Sequence, residues 1–585
     1  MTRANGSEDL TAIEIELLRN ALGSICDEMY VALMKSAYST NIKERKDHSA
    51  AIFDASGRVV IQGESQPLHL ASMLGLVEVV LQRYPIDAMA PGDMFVSNDP
   101  FVGKGSHLPD VALVMPIFAP AEDANGRGPL FGFIANIAHH ADIGGMAPGG
   151  IAGGMTEIYQ EGLRIPPIRL LAGGEIVSDV LDLILLNVRV PTERRGDYMA
   201  QIAANRLGER RFSELFRKHS PARVRAASVG VIEAVARRMR SGIAALPDGV
   251  YRFDDVLDDD GFDAEQIPIV LTITVDGEHI TFDFDGTGAQ VKGNINNSWA
   301  GLQASVLFGL KVLVDPDGPT NHGMLEPVTI KAAPGTVVNA VFPAATAGRS
   351  QTCQRVIDAI LGALSAAVPE KVIAAGNGAN LLIAFSGDGP SGDYYLYMET
   401  IGGGAGARAY KDGTDGVQVH TTNTSNLPIE ALEREYPLLV ERYELVQDSG
   451  GAGTHRGGLG LRRDYRGIGH TLAFSVHGER YRTPPWGLFG GAKGATGQHA
   501  ILHDDGRVIP LPAKTETIPV GPDAVVSIVT PGAGGYGPPG QRDPSEVAED
   551  LESGKYTDEY IRAHYPHPAN AENPGAAGDA KETSS

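Results

Sequence analysis

Two short segments of the chain concentrate side chains that could hold a metal ion. Residues 97–110 end with His107 and Asp110, and residues 139–145 begin with His139. His107 and Asp110 lie three positions apart around a proline, so a turn can direct an imidazole and a carboxylate to one place, while His139 approaches from the end of the next apolar run. Nitrogen and oxygen ligands suit Zn²⁺, Mn²⁺ or Fe²⁺, and the absence of a thiolate favours an open, catalytic site.

Other assignments stay open for these residues on sequence grounds alone. A single histidine beside a turn is more often a satisfied loop or core residue than a ligand. The concentration of histidine and aspartate in two glycine-flanked segments is what favours a metal site here. Asp47, in the segment 43–49, could add another carboxylate, although a run of charges at a helix end is more often a solvated surface. The segment 64–69, which ends with His69, is a weaker candidate still.

Several other kinds of catalytic site are disfavoured. The sequence contains no Gly-x4-Gly-Lys-Ser/Thr motif, so its glycine-rich stretches predict sharp turns with close backbone approach rather than an ATP site. It contains no Gly-x-Ser-x-Gly motif of a serine hydrolase. Its two cysteines are Cys26, within a predicted amphipathic helix, and Cys353, which has no nearby base, so a thiol nucleophile is disfavoured as well.

The candidate residues fall at the ends of predicted strands, in a chain that mixes strands with helices. A 3.6-residue apolar spacing predicts helices over residues 10–40, 70–84, 180–188, 199–216, 223–246 and 350–368. Short apolar runs bounded by turn residues predict strands over residues 49–53, 58–62, 93–98, 110–118, 130–138, 267–275, 279–284, 372–385 and 394–400, with more between 464 and 528. No regular βαβ rhythm appears. The pattern therefore predicts a large, mixed α+β fold of several subdomains, with a β-rich core and glycine-rich loops around a metal cleft.

Length and composition limit the organisation and the partners. For the 585 residues we predict an N-terminal α+β region with the metal site at 1–220, a central α+β region at 221–395, a β-rich, glycine-rich region at 396–563 and a disordered tail at 564–585. A formal net charge of −23 without a basic stripe disfavours nucleic acid as a partner. No window reaches 18 uninterrupted apolar residues and no secretory pattern opens the chain, so we expect no membrane association. The low cysteine content fits the cytoplasm.

An ordered series of short motifs covers nearly the whole chain. In order, the motifs are Ile42-Lys-Glu-Arg-Lys-Asp-His-Ser49, Gly92-Asp93, Asn98-Asp-Pro100, His107-Leu-Pro-Asp110, His139-His-Ala-Asp-Ile-Gly-Gly145, Gly196-Asp197, Asp283-Phe-Asp-Gly-Thr287, Asn294-Ile-Asn-Asn297, Asn423-Thr-Ser-Asn-Leu-Pro-Ile-Glu430, Asp448-Ser-Gly-Gly-Ala-Gly-Thr-His-Arg-Gly-Gly458 and Pro531-Gly-Ala-Gly-Gly-Tyr-Gly537. This series resembles the hydantoinase B/5-oxoprolinase family, which includes the B-type components of N-methylhydantoinases and is related to caprolactamase and to subunits of acetone and acetophenone carboxylases. One departure is His322, where relatives often carry an acidic residue, and it bears on substrate identity.

The resemblance implies a mononuclear divalent metal and a two-part enzyme. The implied ligands are Asp47, His107, Asp110 and His139, with His139 preferred to His140. A separate hydantoinase A-type subunit would use Mg-ATP to phosphorylate the carbonyl oxygen of a cyclic amide, and the present chain would complete the hydrolysis within a hetero-oligomer. His140 and Asp142 are the predicted proton-transfer residues. Two alternatives are a subunit of an ATP-dependent ketone carboxylase, with bicarbonate as co-substrate, and a non-catalytic scaffold subunit.

Overall fold

The computed structural model describes residues 10–63, 66–121, 127–378 and 380–566. The α-helices in these ranges are α1 Ala12–Ser36, α2 Thr40–Lys43, α3 His69–Leu74, α4 Leu76–Arg83, α5 Ile158–Glu161, α6 Ser178–Leu186, α7 Pro191–Lys218, α8 Pro221–Ala244, α9 Trp299–Val314, α10 Arg349–Leu364, α11 Ile429–Glu435, α12 Pro544–Glu552 and α13 Asp558–His564. Short 3-10 helices occupy Ile86–Ala88, Pro148–Gly150, His322–Leu325 and Pro539–Gln541.

The strands form four sheets. They are β1 His48–Asp54, β2 Val59–Gln62, β3 Met94–Ser97, β4 Asp110–Phe118, β5 Leu130–His139, β6 Ile168–Ala172, β7 Glu175–Ile176, β8 Gly249–Asp259, β9 Glu265–Asp276, β10 His279–Asp283, β11 Val328–Lys331, β12 Leu381–Asp388, β13 Tyr394–Ile401, β14 Leu438–Leu445, β15 Leu461–Gly467, β16 Leu472–His477, β17 Gln498–His503, β18 Val508–Leu511, β19 Ile518–Val520 and β20 Ala524–Val529. The sheet orders are β2-β1-β5-β4-β3-β6-β7, β11-β10-β9-β8, β13-β12-β16-β19 and β14-β15-β20-β17-β18.

The seven-stranded sheet is covered on both faces, which explains why its central strands are continuous apolar runs. On one face Ile134 of β5 belongs to the same hydrophobic cluster as Leu22 of α1. On the other face Phe133 clusters with Val77 of α4. All ten residues of β5 are buried, so the polar residues at the end of this strand are held in the protein interior.

Helix α10 runs through the interior, and its first residue, Arg349, bonds to Asp110 at the start of β4. Every residue from Arg349 to Leu364 is buried, and its side chains cluster with those of α9 and of the sheet that contains β9. Ile357 and Ile360 share this cluster with Leu302 of α9 and Ile269 of β9. Packing on all sides fixes the position of the helix, so the polar residues of its first turn occupy a defined place.

The glycine-rich loops of the C-terminal half pack against one another. A β-carbon on Gly404 would collide with the carbonyl of Gly458, and one on Gly457 would collide with the carbonyl of Ala533. The same holds for Gly532 against the carbonyl of Ser449. Side chains are excluded there because backbones from three separate loops meet. The predicted close backbone approach is therefore present, and it is between the loops themselves.

The observed elements differ from the predicted ones in several places. The predicted helix over 70–84 is two helices, α3 and α4, that meet at Gly75. The predicted strand over 372–385 is correct only from Leu381 onward. The pattern does not predict α9, because ten of its sixteen residues are buried and its apolar residues show no single face.

The predicted organisation into regions stays a prediction. Its boundary at residue 395 falls within the hairpin of β12 and β13, and the predicted tail from 564 lies, from residue 567 onward, outside the described residues. The mixture of helices with largely antiparallel sheets confirms the α+β class.

Candidate metal centre

Strand pairing brings three candidate ligands to one edge of the seven-stranded sheet. Asp110, the first residue of β4, lies directly opposite His139, the last residue of β5. The backbone N–H of His139 donates to the carbonyl of Asp47, which precedes β1 on the other side of β5. Because neighbouring strands lie only about 5 Å apart, Asp47, His139 and Asp110 form a row across three strand ends.

His107 joins this row from the turn before β4. The backbone N–H of Asp110 donates to the carbonyl of His107 over 3.2 Å and closes the turn. The Nδ1 atom of His107 lies 3.1 Å from the carbonyl oxygen of Ala347. Since a carbonyl can only accept, Nδ1 carries the proton and Nε2 keeps a free lone pair. This is the tautomer in which a histidine binds a metal through Nε2.

The ligand atoms of His107, Asp110 and His139 converge on one point. One atom from each lies within 4.8 Å of the others, and all three residues are buried. Nε2 of His107 and Oδ1 of Asp110 are 3.3 Å apart, and neither has a hydrogen-bond partner among the described residues. Buried polar atoms seldom lack a partner, so these two atoms fit a shared cation. Two imidazoles and a carboxylate suit Zn²⁺, Mn²⁺ or Fe²⁺.

Burial and neighbouring charges hold the three groups in their metal-binding forms. Burial raises the pKa of Asp110, but His107 and His69 outweigh it and hold this pKa well below its ordinary value. Burial lowers the pKa of His107, and the Arg349 guanidinium lowers it further. Burial and then His107 lower the pKa of His139 well below its ordinary value. At pH 7 the carboxyl is therefore ionised and the imidazoles are neutral, as metal ligation requires.

The segment 347–349 orients two of the three ligands. Oδ2 of Asp110 accepts hydrogen bonds from Arg349 Nη2 at 2.8 Å and from Ser106 Oγ at 2.5 Å. The other carboxylate oxygen, Oδ1, therefore remains available to a metal ion. Ala347, two residues before Arg349, provides the carbonyl that fixes His107. The backbone N–H of Ala347 donates in turn to Oε1 of the buried Glu161 at 2.7 Å. Burial raises the pKa of Glu161 to about 8.

Asp47 lies in the same cavity but outside the three-residue cluster. Its Oδ1 is 3.5 Å from Nε2 of His69, and that nitrogen is also 3.5 Å from Oδ1 of Asp110. Nδ1 of His69 and Oγ of Ser49 share a hydrogen bond of 2.9 Å, which turns Nε2 toward both carboxylates. Burial raises the pKa of Asp47, and His69 and Arg45 partly offset this effect. No spacing in the sequence connects His69 with the other ligands, so only the structure shows that it belongs to this site.

His140 and Asp142 are not brought to the cluster. Adjacent residues of an extended chain point to opposite sides, so His140 packs on Tyr198 of α7, with ring centroids 4.6 Å apart, and its Nε2 bonds Oε1 of Gln201 at 3.0 Å. Both oxygens of Asp142 accept hydrogen bonds, from the backbone of the following loop and from Arg189. Neither side chain lines the cavity. The geometry therefore does not favour the predicted proton-transfer role of this pair.

The cavity around the cluster is built from distant parts of the chain. Its free volume is about 40 Å³, which is room for a metal ion and a few water molecules and is below the volume of a typical small-molecule site. Its lining extends in sequence from Arg45 to Thr422, well beyond the N-terminal region to which we assigned the metal site. Arg45 connects the N-terminal part of the lining with β13, because it donates to the Met398 carbonyl at 2.9 Å and to Thr400 Oγ1 at 2.9 Å. His322 is not among the lining residues.

Comparison with known proteins assigns the family. The model of the hydantoinase B/oxoprolinase family matches residues 11–539. The chain belongs to this family. The B component of a putative D-/L-hydantoinase from Pseudomonas sp. (strain NS671) is 33% identical over 94% of each chain. The beta chain of the caprolactamase from Pseudomonas jessenii is 32% identical over 94% of this chain and 95% of its own.

Two solved structures share the fold. The crystal structure of an ATP-dependent caprolactamase from Pseudomonas jessenii matches with a TM-score of 0.89 and 29% identity, over 97% of this chain and 98% of its own. A nucleotide-free acetone carboxylase structure matches with a TM-score of 0.87 over 94% of this chain and 79% of its own, but at 18% identity it shows the fold alone. The resemblance inferred from the motifs and the α+β class are thus confirmed.

Two further features bear on the sequence predictions. Among the described residues, no helix is both long enough and apolar enough to cross a membrane. Cys26 and Cys353 are both buried and free, and burial raises the pKa of each thiol. A buried thiol with a raised pKa is a poor nucleophile, in line with the preference for metal chemistry.

Proposed function

We propose that this chain is the metal-dependent catalytic subunit of an ATP-dependent cyclic amidase of the hydantoinase, oxoprolinase or lactamase type. The observation that carries the proposal is the buried convergence of His107, Asp110 and His139, with two ligand atoms left unpartnered among the described residues. The names of two relatives, one from a hydantoinase and one from a caprolactamase, favour cyclic amides as substrates.

The proposed metal is a single Zn²⁺, Mn²⁺ or Fe²⁺ ion held by His107, Asp110 and His139, with Asp47 as the fourth ligand. A divalent cation supplies Lewis acidity, which activates water and stabilises negative charge on the reacting carbonyl oxygen. The protein residues position the ligands and set their protonation states. Ala347 and Arg349 hold two ligands in position, and burial keeps the imidazoles neutral.

We assign proton transfer in the cavity to His69 instead of His140 or Asp142. Its Nε2 faces the carboxylates of Asp47 and Asp110, and Ser49 holds the ring from the opposite side. A general acid or base must lie within reach of the reacting group, and His69 lines the cavity whereas the other two residues do not.

The proposal includes a partner that activates the amide. An amide resists attack, and phosphorylation of its oxygen creates a good leaving group. The present chain lacks a Gly-x4-Gly-Lys-Ser/Thr motif, the names of its relatives mark each as one subunit of a larger enzyme, and the solved caprolactamase is described as ATP-dependent. A hydantoinase A-type subunit that uses Mg-ATP, in a cytoplasmic hetero-oligomer with this chain, accounts for these observations together.

The test is metal analysis and turnover of the complex with its ATP-binding partner. We expect one transition-metal ion per chain and ATP-dependent opening of at least one hydantoin, 5-oxoproline or lactam. His107→Ala and Asp110→Ala should lose the metal and lower turnover about 100-fold or more. His279→Ala, which changes an exposed hairpin histidine, should retain both. Full turnover in His107→Ala, or an active complex without transition metal, would contradict the proposal.

The same preparation separates the alternatives. Incorporation of radiolabelled bicarbonate into a ketone substrate would indicate a ketone carboxylase, which shares the metal but not the hydrolytic step. A complex that contains no metal and is indifferent to both variants would indicate a scaffold subunit.

A further inference from the structure

We infer that the cavity beside the metal cluster binds the phosphoryl group of the activated substrate, through Arg45, Arg349 and the hydroxyls of Ser350 and Thr421. All four residues line this cavity, and each is at most 3% exposed. The inference rests on the proposed function, because the phosphoryl group reaches the cavity on the amide oxygen that the partner has phosphorylated. It names the part of the substrate that this chain recognises.

The charges around the cavity favour an anion once a metal ion is bound. The lining contains two arginines and two aspartates, so the formal charges of these four side chains cancel. A divalent ion at the cluster then leaves an excess of positive charge, and a phosphate ester carries about −1.5 to −2 charges at pH 7. A phosphoryl group therefore balances the charge of the occupied site, which a neutral cyclic amide does not.

Arg45 is a buried cation whose hydrogen-bond partners among the described residues are all neutral. Its guanidinium donates to the side-chain oxygen of Asn41 at 3.0 Å, to the Met398 carbonyl at 2.9 Å and to the Thr400 hydroxyl at 2.9 Å. Its Nε has no partner among these residues. Buried charges are usually paired with an opposite charge. An oxyanion in the cavity provides Arg45 with such a partner.

Four further groups on the lining can donate to an oxyanion. Nε of Arg349 and the hydroxyl oxygens of Ser350 and Thr421 have no hydrogen-bond partner among the described residues. Nε2 of Gln66 also has none, and it only donates, because the side-chain oxygen of Gln66 accepts a backbone N–H at 3.2 Å. Asn380 adds one unpartnered acceptor, Oδ1, which a water molecule or a singly protonated phosphate can satisfy. Donors therefore predominate, as an anion requires.

The size of the cavity also fits a phosphoryl group. At about 10–15 Å³ for each water-sized group, the free volume of about 40 Å³ holds three or four of them. A metal ion and the three terminal oxygens of a phosphoryl group match this room, whereas the ring of a cyclic amide exceeds it. We therefore place the phosphoryl end of the substrate in the cavity and the ring outside this volume.

The test measures the binding of inorganic phosphate to the complex of this chain with its ATP-binding partner, loaded with Mn²⁺ and free of nucleotide. Mn²⁺ broadens the phosphorus NMR signal of phosphate bound close to it, and this effect falls steeply with distance. We expect saturable broadening in the wild type. His107→Ala, which loses the metal of the cluster, reports any broadening that arises in the partner and should show little more than that background.

Three variants on the lining test the assigned donors. Arg45→Met removes the guanidinium but keeps an aliphatic side chain, and it should raise the Kd for phosphate about 10- to 100-fold, because hydrogen bonds between charged groups are strong. Ser350→Ala and Thr421→Val should each raise this Kd about threefold to tenfold. All three should retain the metal. The two hydroxyl variants remove oxygens that are unpartnered among the described residues, so they keep the inference testable if Arg45→Met does not fold.

Two control variants address the helix and the net charge. Thr352 lies on the same helix as Ser350, but its Oγ1 donates to the carbonyl of Ile295 at 2.5 Å and does not line the cavity. Thr352→Val should therefore leave the Kd for phosphate unchanged. Arg210→Met removes one positive charge from an exposed position and should also leave it unchanged.

Three results would overturn the inference. The first is broadening in the wild type that is no greater than in His107→Ala. The second is a Kd within twofold of the wild type in both hydroxyl variants and in a folded Arg45→Met. The third is displacement of phosphate by bicarbonate at concentrations below the Kd for phosphate, which would assign the site to a different oxyanion. Failure of the proposed function is recognised separately, because there the wild-type complex contains no transition metal or opens no cyclic amide with ATP.

Discussion

Replacing Glu161 by alanine should weaken metal binding, although this carboxylate contacts none of the proposed ligands. Oε1 of Glu161 accepts the N–H of Ala347 at 2.7 Å, and the carbonyl of Ala347 accepts from His107 Nδ1 at 3.1 Å. Without the carboxyl the buried N–H loses its partner, which costs about 1–3 kcal/mol. The segment can relieve this cost only by moving Ala347, which releases His107.

Supporting residues of this kind are worth about 10- to 100-fold in metal affinity. We therefore expect Glu161→Ala to raise the Kd for Zn²⁺ by this factor, roughly 1.4–2.7 kcal/mol in binding free energy. Competition with a chromophoric chelator measures the affinity, and the absorption spectrum of the Co²⁺-substituted complex reports the ligand geometry. Both measurements are independent of turnover.

Two variants control for other effects of the change. Glu161→Gln retains an acceptor for Ala347 and resembles the protonated acid, so its Kd should stay within about threefold of the wild type. Glu278→Ala replaces a glutamate at an exposed hairpin turn and should have no effect. If Glu161→Ala binds Zn²⁺ as tightly as the wild type and gives the same cobalt spectrum, the proposed link between Glu161 and His107 is wrong.

Two predictions concern stability. Glu399 is fully buried and accepts hydrogen bonds from the equally buried Arg463 and from Tyr397. Glu399→Gln should therefore lower the free energy of unfolding by about 3–5 kcal/mol, measured as a lower denaturation midpoint. Glu441→Gln, at a surface ion pair, should change this free energy by less than about 1 kcal/mol. Burial raises the pKa of Glu161 from 4.5 to about 8, so between these values the folded chain holds a proton that the unfolded chain has released. The thermal midpoint should fall as pH rises through this window, and less so in Glu161→Gln; an identical pH profile of the two proteins would contradict this.

Local patterns predicted much of the framework. Apolar runs over residues 110–118 and 130–138 predicted β4 and β5, and the observed strands agree within about one residue. The α+β class and the family followed from the mixture of periodicities and from the order of the motifs. The predictions were weaker where apolar residues occur on every side of an element, as in α9, because such a helix has no polar face to give its sequence a period.

The sequence by itself determined which side chains are available for chemistry and which of them end apolar strands, because residue type and strand periodicity are local properties. Only the tertiary structure decided how these side chains combine. It set Asp110 opposite His139, turned His140 toward α7, and brought His69 to both carboxylates. It also placed the start of α10, more than 200 residues further along, against Asp110. Strand pairing and helix packing join residues that are far apart in sequence, and a burial pattern along one segment carries no information about its neighbour.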